Sequence, residues 1–560
     1  MSTLLTVLEL RASSLPQLSF PQPLWTPLLQ KDTLSGPVRS GPRSPPAVPN
    51  GPKEARMATV TPVSGSSPEH RDLAHWMQRV LKELDLLQSA PEKDVVHDLR
   101  VAIRRCRSIA AVMREVDPAP AWHEMRSLPK KLFRKLGELR DTQIMDEWVA
   151  GHGAENDKLR VALHAFFHES EPKLQQEALR LAAKFDDKRW QRLEGKLLKR
   201  VRLVPPESLA AQCLAVERLN EAKELHSKAL RADKPAAWHA LRIGLKKFRY
   251  TVESLLPQEY QAWSPNLKQL QDTLGEVHDL DVLRVIIKQK ATGDLADLQP
   301  EWERTIDRQR TARLQEYREV ALGKESVWHE WQQALPRQKR LQTAALARLR
   351  ATARATGAHP RRAAHISRLS IALFDALGRA HSAPVFDNAD MRRVLRAAAR
   401  LCGLRLKGTS KPAQKAARKF LLERPIPPSW TRQEWQLLAW TVRYHRGPEP
   451  TDSSAFARLH EDEQSSVRAL AGVIRLARGL RKCGIEHGNG VRVEKTAAAV
   501  LLHIPGLVDS AENAARLAAA KHLLDTYLGK PLIPKAAAPP QLVQLPSPPS
   551  QVVPISAASD

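Results

Sequence analysis

One pattern of eleven residues occurs twice in this sequence and decides how the chain is interpreted. Residues 97–107 read HDLRVAIRRCR, and residues 239–249 read HALRIGLKKFR. Both copies keep the pattern H-x-x-R-x-x-x-[RK]-[RK]-x-R, with a shift of 239 − 97 = 142 residues. A second motif follows each copy, LGELRD at 136–141 and LGEVHD at 274–279. Two motifs in the same order at nearly the same spacing predict a duplicated helical unit.

Each copy has the spacing of a helix with one apolar side and one cationic side. At 100° per residue, four basic side chains of the first copy fall within an arc of about 80°. This first column consists of His97, Arg100, Arg104 and Arg107. The neighbouring apolar face consists of Val96, Leu99, Ile103, Cys106, Ala110 and Met113. The second column consists of His239, Arg242, Lys246 and Arg249, and Arg105 and Lys247 widen the two strips.

The two columns predict an anionic ligand. Like charges one turn apart on a helix repel each other by a few tenths of a kcal/mol per pair, so stability alone does not favour them. Arginine forks bind phosphate oxygens in two-point contacts, and lysine adds a point charge. If the duplicated units fold back on each other, the columns line one groove, which suits a phosphate polymer better than a single small anion. A solvated helix face is the alternative for one column alone, and His97 alone is equally compatible with capping or packing.

A second basic helix is predicted to start at Pro129, a residue suited to a first helical turn. Its apolar stripe consists of Leu132, Phe133, Leu136 and Leu139, and its cations are Lys130, Lys131, Arg134 and Lys135. In the second half, the stretch 267–274 contains Lys268 as its only lysine or arginine. The two halves are therefore expected to contribute unequally to a binding site.

Over residues 69–350 the sequence resembles the CHAD family, an α-helical family named for its conserved histidines. The resemblance rests on 96–105, 136–141, 241–250 and 274–282. It implies two pseudo-symmetric helical bundles and a basic central groove that binds inorganic polyphosphate. The implied anion-binding positions are His97, Arg100, Arg104, Arg107, Lys131, Lys135, Arg140, His239, Arg242, Lys246, Arg249 and His278, and Arg105, Arg134 and Lys247 are added as flanking cations. His278 replaces the arginine at Arg140, so this contact is expected to be weaker or to depend on pH.

Composition limits the class of protein. The chain has 560 residues and a net charge of +27, which favours a polyanionic partner. The 24 glycines and 5% aromatic residues argue against an all-β fold, and no apolar run reaches the length of a membrane span. The four cysteines are scattered, which disfavours a zinc site or disulfides and favours a reducing cytoplasm. No secretory signal is expected, and polyphosphate granules are a candidate location within the cytoplasm.

The predicted fold is all-α, with loose tails and two helical domains. Residues 1–68 and 536–560 are rich in proline and predicted to be disordered, and Met57 is an alternative start. A shift in composition near residue 357 separates a CHAD-like domain at 69–356 from a second domain at 357–535. The internal repeats of the first domain are placed at about 69–200 and 201–350.

The region 360–535 resembles the HD-like C-terminal domain of the exopolyphosphatase/guanosine pentaphosphate phosphatase family. The resemblance rests on 363–377, 438–446 and 473–480. An active HD site needs an upstream histidine, an adjacent His-Asp pair and a distant aspartate that together hold a metal. His365 could supply the first ligand, but Cys402 lies where the pair is expected and Arg478 where the distant aspartate is expected. The domain is therefore expected to be degenerate, with no metal and no cofactor.

Three functions follow as hypotheses. The first is non-catalytic binding of polyphosphate, with the second domain as a scaffold or auxiliary surface. The second is general binding of nucleic acid, although only Phe248 and Tyr250 lie beside a column as aromatic side chains that could stack with bases. The third is a metal-dependent phosphohydrolase, since 97–98 and 278–279 are His-Asp dipeptides. The cations around both dipeptides would repel a metal ion, so binding without catalysis is preferred.

Overall fold

Residues 72–89, 92–406, 412–449 and 454–537 are described by a computed structural model. The predicted N-terminal tail and Met57 lie outside these residues, as does nearly all of the predicted C-terminal tail. The described chain is dominated by α-helices, which confirms the predicted fold class. It divides into two compact units, the first formed by residues up to 113, 120–207 and 214–335, and the second by 114–119, 208–213 and 336 onward.

The first unit contains the two repeated motifs. Its helices are α1 (Leu73–Ser89), α2 (Lys93–Met113), α3 (Pro120–Ser127), α4 (Lys130–Ala150), α5 (Lys158–Ala183), α6 (Asp187–Val201), α7 (Leu209–Ala232), α8 (Pro235–Leu255), α9 (Pro257–Lys290), α10 (Gln299–Ala321) and α11 (Val327–Ala334). The first motif of each repeat lies on α2 or α8, and the second motif on α4 or α9. Because α2 packs against α4 and α8 packs against α9, each repeat brings its own two motifs together.

The helix α2 has the packed face that its sequence predicts. All six predicted apolar residues of α2, from Val96 to Met113, are buried. On α4 the stripe from Leu132 to Leu139 is buried as well, with Pro129 at the N-cap position of this helix. Burial of a leucine or isoleucine side chain contributes roughly 1.5–3 kcal/mol, so these stripes fix how the helices face the core.

The second unit is also mainly helical. Its elements are α12 (Gln338–Ala355), α13 (Pro360–Arg379), α14 (Ala389–Leu401), α15 (Ala413–Leu422), α16 (Arg432–Tyr444), α17 (Ser454–Ala457), α18 (Glu461–Lys482), β1 (Arg492–Lys495), β2 (Val500–Pro505), α19 (Ala511–Leu528) and β3 (Leu532–Ala537). The helix α18 packs against α13, α16 and α19. A Cβ atom on Gly479 would lie 2.7 Å from Cβ of Ala520, so glycine permits the close approach of α18 to α19.

Two features of the second unit differ from the sequence-based prediction. The helix α12 lies in the second unit, whereas the composition shift places it in the first domain. The physical reason is that Ala344, Ala345 and Leu349 are buried in the apolar core of the second unit. The second difference is a three-stranded sheet in which β2 pairs antiparallel with β1 and parallel with β3. Alternate residues of β2 are buried, a period of two that indicates a strand.

Candidate anion-binding site

The two cationic columns face each other in the first unit, because α2 packs against α8. The electrostatic neighbours of Lys246 on α8 include Arg100 and Arg104 on α2. Those of Arg100 include Arg242 on α8. The structure therefore brings the middle residues of both predicted columns together around one shared position.

The middle of this site is buried, which the sequence alone did not indicate. The exposed fraction is 0% for Arg242, 4% for Arg100 and 4% for Lys246, while Arg104 is partly buried. Burial removes water from a charged group and favours its neutral form. Desolvation, together with the charges of Arg104 and Arg242, accordingly lowers the pKa of Arg100 to about 10. The pKa of Lys246 is lowered well below its usual value for the same reasons.

Arg242 is the cation that the fold compensates least. Its Nε and both terminal nitrogens are buried, and within the described part of the chain none of the three has a hydrogen-bond partner. A buried guanidinium normally pairs with a carboxylate or with carbonyl oxygens, because an uncompensated buried charge costs several kcal/mol. Its pKa is lowered by burial, and the carboxylates of Asp279 and Asp141 partly oppose this effect.

Two aspartates lie next to the columns. The sequence analysis considered Asp279 only as part of a His-Asp dipeptide and gave Asp141 no role. Asp141 lies 3.8 Å (Oδ1 to a terminal nitrogen) from Arg100. Asp279 acts electrostatically on Arg242 and Lys246. Burial raises the pKa of both carboxyls, to about 7 for Asp279, against the opposing influence of the arginines. The available signal was that both copies of the LGE motif end in aspartate at the same position.

The histidines and Arg140 occupy equivalent places in the two repeats. His239 on α8 lies 3.1 Å (Nδ1 to Nδ1) from His278 on α9. In the first repeat, Arg140 is an electrostatic neighbour of His97, whose pKa is lowered chiefly by desolvation and also by Arg104 and Arg140. In the second repeat, His278 occupies the position that Arg140 has in the first. A ring that contacts His239 therefore takes the place of a cation that neighbours His97.

The outer members of the columns contact neutral groups. Arg107 donates a hydrogen bond to the backbone carbonyl of Arg126, and its guanidinium lies 5.0 Å from the centre of the Phe133 ring. Arg249 donates to Oε1 of Gln271 at 2.9 Å.

Four of the predicted cations outside the columns are paired with carboxylates of the same fold. Arg105 on α2 forms an ion pair with Glu253 on α8. Lys247 forms one with Glu221 at 2.7 Å. Lys135 contacts Glu138 at 2.6 Å and Glu177 at 2.7 Å, and the exposed Arg134 lies 3.6 Å from Glu138. Lys131 is exposed on α4. The structure thus separates these four cations, which pair with carboxylates, from the middle of the columns, where cations lie against one another.

The two His-Asp dipeptides do not act as pairs. Asp98 forms an ion pair with Arg79 on α1 at 2.7 Å, while His97 neighbours Arg104 and Arg140. Asp279 neighbours Arg242, while His278 contacts His239. Among the described residues, no group of three or more histidine, cysteine, aspartate or glutamate side chains is placed to hold a metal ion.

In the second unit, the three positions expected for an HD site have other contacts. His365 lies 2.8 Å (Nε2) from the backbone carbonyl of Ile485. Cys402 donates a hydrogen bond from Sγ to the carbonyl of Ala398, and burial raises the pKa of its thiol to about 12. Arg478 is an electrostatic neighbour of this thiol.

The first unit is similar to a known family of domains. Residues 71–288 match the family model of the CHAD domain. The match ends near the C-terminal end of α9, after both repeated motifs. No curated protein matches the chain.

Among solved structures, the chain is similar to the CHAD domain from the plant Ricinus communis. The sequence identity is 19% and the TM-score is 0.32, over 47% of this chain and 90% of that chain. None of the helices in the described ranges is both long enough and apolar enough to cross a membrane.

Proposed function

We propose that the first unit binds inorganic polyphosphate between the columns of α2 and α8, without hydrolysing it. CHAD domains are known in general to bind polyphosphate. The observation that carries the proposal for this chain is Arg242, fully buried with three nitrogens that have no hydrogen-bond partner among the described residues. Phosphate oxygens are suitable acceptors for such a guanidinium.

The charge balance of the site supports an anionic ligand. Arg100, Arg104, Arg242 and Lys246 face two carboxyl groups, Asp141 and Asp279. The pKa of Asp279 is raised to about 7, so this carboxyl is only partly ionised at neutral pH. Positive charge therefore remains in excess in a poorly hydrated place, where an arriving anion is attracted more strongly than at an exposed surface.

The length of the columns favours a polymer over a single phosphate. From residue 97 to residue 107 the first column rises about 15 Å along its helix, at 1.5 Å per residue. A chain of linked phosphates can contact several of these cations in succession. Each neutralised phosphate releases counterions, so affinity should fall steeply with salt.

Nucleic acid is the less favoured polymer because of the aromatic side chains. Binding of single strands commonly uses exposed rings on which bases stack. Phe248 is 0% exposed and Tyr250 is 8% exposed, so both aromatic residues that the sequence placed beside a column are packed inside the unit.

The experiment compares the full chain with two double variants that each remove two positive charges. Arg104→Gln/Arg242→Gln removes cations of the columns, whereas Arg134→Gln/Lys247→Gln removes cations that already have carboxylate partners. At about 1.5 kcal/mol per charge-assisted contact, the column variant should bind long-chain polyphosphate about 100-fold more weakly. Its plot of log affinity against log salt should also become shallower by about 1.4 units, since about 0.7 unit is expected for each of the two cations removed. Thermal unfolding of both variants controls for folding.

Three outcomes would contradict the proposal. Equal losses in both variants would indicate attraction by net charge alone, and an unchanged column variant would exclude the groove. Displacement of polyphosphate by single-stranded nucleic acid at equal phosphate concentration would favour the nucleic-acid hypothesis. Phosphate release that requires added magnesium or manganese would show that the protein is a hydrolase.

We propose further that the second unit is a degenerate HD-like domain without a metal centre. The support comes from Cys402, whose buried thiol is far from forming a thiolate, and from Arg478, whose positive charge lies beside it. A cation repels a metal ion from the place where a ligand would be needed. Stoichiometric manganese or iron in the purified protein, lost in His365→Ala, would overturn this proposal.

A further inference from the structure

A group of five arginines in the second unit has no ion pair within the part of the chain that the structure describes. It lies on three helices, at one-turn spacing on two of them. This α14 cluster consists of Arg350 and Arg354 on α12, Arg368 on α13, and Arg396 and Arg400 on α14.

Packing of the three helices brings these side chains together. The helix α14 packs against both α12 and α13, and Ser367 donates a hydrogen bond to the carbonyl of Arg396 at 3.3 Å. The electrostatic neighbours of Arg400 are Arg350, Arg368 and Arg396. Those of Arg350 are Arg396 and Arg354, so the cluster is continuous across the three helices.

Two other arginines on α14 do pair with carboxylates. Arg392 makes a two-point contact with Asp375, at 2.6 and 2.7 Å, and Arg393 forms an ion pair with Glu434. In contrast, no member of the α14 cluster has an ion pair within the ranges that the structure describes. The Nε atoms of Arg350 and Arg400 are buried there without a hydrogen-bond acceptor.

We propose that the α14 cluster is a second binding site for a phosphate polymer, separate from the groove of the first unit. The choice of inorganic polyphosphate as this polymer rests on the function proposed above. Five guanidinium groups without carboxylates repel one another, and they supply forked donors that match phosphate oxygens. Burial and neighbouring arginines lower the pKa of Arg350 and Arg400, as expected for partly desolvated groups that gain from an anion.

The surroundings of the cluster favour phosphate over bases. The helices α12 and α14 contain no aromatic residue, and Phe374 on α13 is 1% exposed. A ligand there would be held by its phosphate groups alone, since no ring of these helices is available for stacking.

Modification of arginines by phenylglyoxal, measured for each residue by mass spectrometry, tests the proposal on the full chain. Long-chain polyphosphate should protect Arg354 and Arg368, which are exposed, and should leave the exposed Arg432 unprotected. Arg396→Gln/Arg400→Gln should weaken this protection about tenfold in polyphosphate concentration, as expected for the loss of one or two contacts. The same variant should leave protection of Arg104 in the groove unchanged.

The matched control is Arg392→Gln/Lys419→Gln, which removes two cations of the same unit that are paired with Asp375 and Glu423. It should keep full protection of Arg354 and Arg368. Without ligand, the cluster variant should melt at a slightly higher temperature than wild type because repulsion is relieved, which also shows that it folds.

The outcomes separate this proposal from the proposed function. Protection of Arg104 without protection of Arg354 and Arg368 overturns the α14 cluster and leaves the groove intact. Protection of the cluster without protection of Arg104 supports the cluster and overturns the groove. Equal loss of protection in the cluster variant and the control, or protection by single-stranded RNA and not by polyphosphate, overturns the cluster as a polyphosphate site.

Discussion

The columns and their flanks contain the same kinds of side chain but differ in their partners. Arg104 and Arg105 are consecutive on α2, yet Arg105 forms an ion pair with Glu253 while Arg104 acts on Arg100 and Lys246 as a like charge. On α8, Lys246 is buried among arginines and Lys247 contacts Glu221. Charge in a sequence therefore does not identify a binding residue, because a carboxylate contributed by another helix can already satisfy it.

The largest expected effect on stability comes from breaking a flanking pair. In Arg105→Gln, Glu253 keeps its charge in a place where only 16% of its side chain is exposed. Loss of one partner of a fully buried pair costs about 3–5 kcal/mol, and partial exposure reduces this to about 2 kcal/mol here. Unfolding by denaturant should show this loss, while polyphosphate affinity should change less than in Arg104→Gln. If Arg105→Gln weakened polyphosphate binding more than Arg104→Gln does, the distinction between columns and flanks would be wrong.

Asp279→Asn tests the role of compensation within the columns, because it removes a carboxyl that lies next to Arg242 and Lys246. The raised pKa, about 7, means that wild-type Asp279 gains its negative charge as pH rises from 6 to 8. Polyphosphate affinity should therefore fall over this range, and at pH 8 the variant should bind up to about tenfold more tightly than wild type. At pH 6 the two proteins should bind alike.

The same substitution has a predicted effect on stability. A carboxyl whose pKa is higher in the folded than in the unfolded protein makes folding less favourable as it ionises. The penalty is absent below the unfolded pKa near 4 and grows until about pH 7. Denaturation of wild type and Asp279→Asn at pH 5 and pH 8 should thus show a clearly larger gain for the variant at pH 8 than at pH 5. A gain of equal size at both pH values would contradict the assigned ionisation.

The smallest expected effect is that of Lys247→Gln. Lys247 and Glu221 are 29% and 33% exposed, and pairs that are this accessible contribute less than about 1 kcal/mol. Both the free energy of unfolding and the polyphosphate affinity should change by less than this amount. A loss of affinity as large as that of Arg104→Gln would place Lys247 within the binding surface.

Much of the fold could be predicted from local patterns. The buried faces of α2 and α4 agree with the sequence because a period of 3.6 residues directly determines which side of a helix is apolar. The sheet of the second unit was missed, since β2 is short and its alternating pattern lies within a longer apolar stretch. The helix α12 was assigned to the first domain by composition, but domain membership depends on which core its alanines enter.

The sequence predicted which residues belong to the candidate site, but it did not predict their burial or their ion pairs. Repetition of the motif identified His97 to Arg107 and His239 to Arg249. It could not indicate that Arg242 is fully buried, that Asp141 and Asp279 lie opposite the columns, or that Arg105 is paired. Those facts depend on contacts between residues from different helices, and spacing within one helix contains no information about them.

The sequence by itself determined the helical class, the duplication and the two rows of cations, because each is expressed in short repeated spacings. Only the tertiary structure decided which cations keep an excess of charge. Packing of α2 against α8 sets the burial of the columns, and the carboxylates that approach from α4 and α9 partly compensate their charge. Charge is a property of a residue, whereas desolvation and pairing are properties of its neighbours in the folded chain.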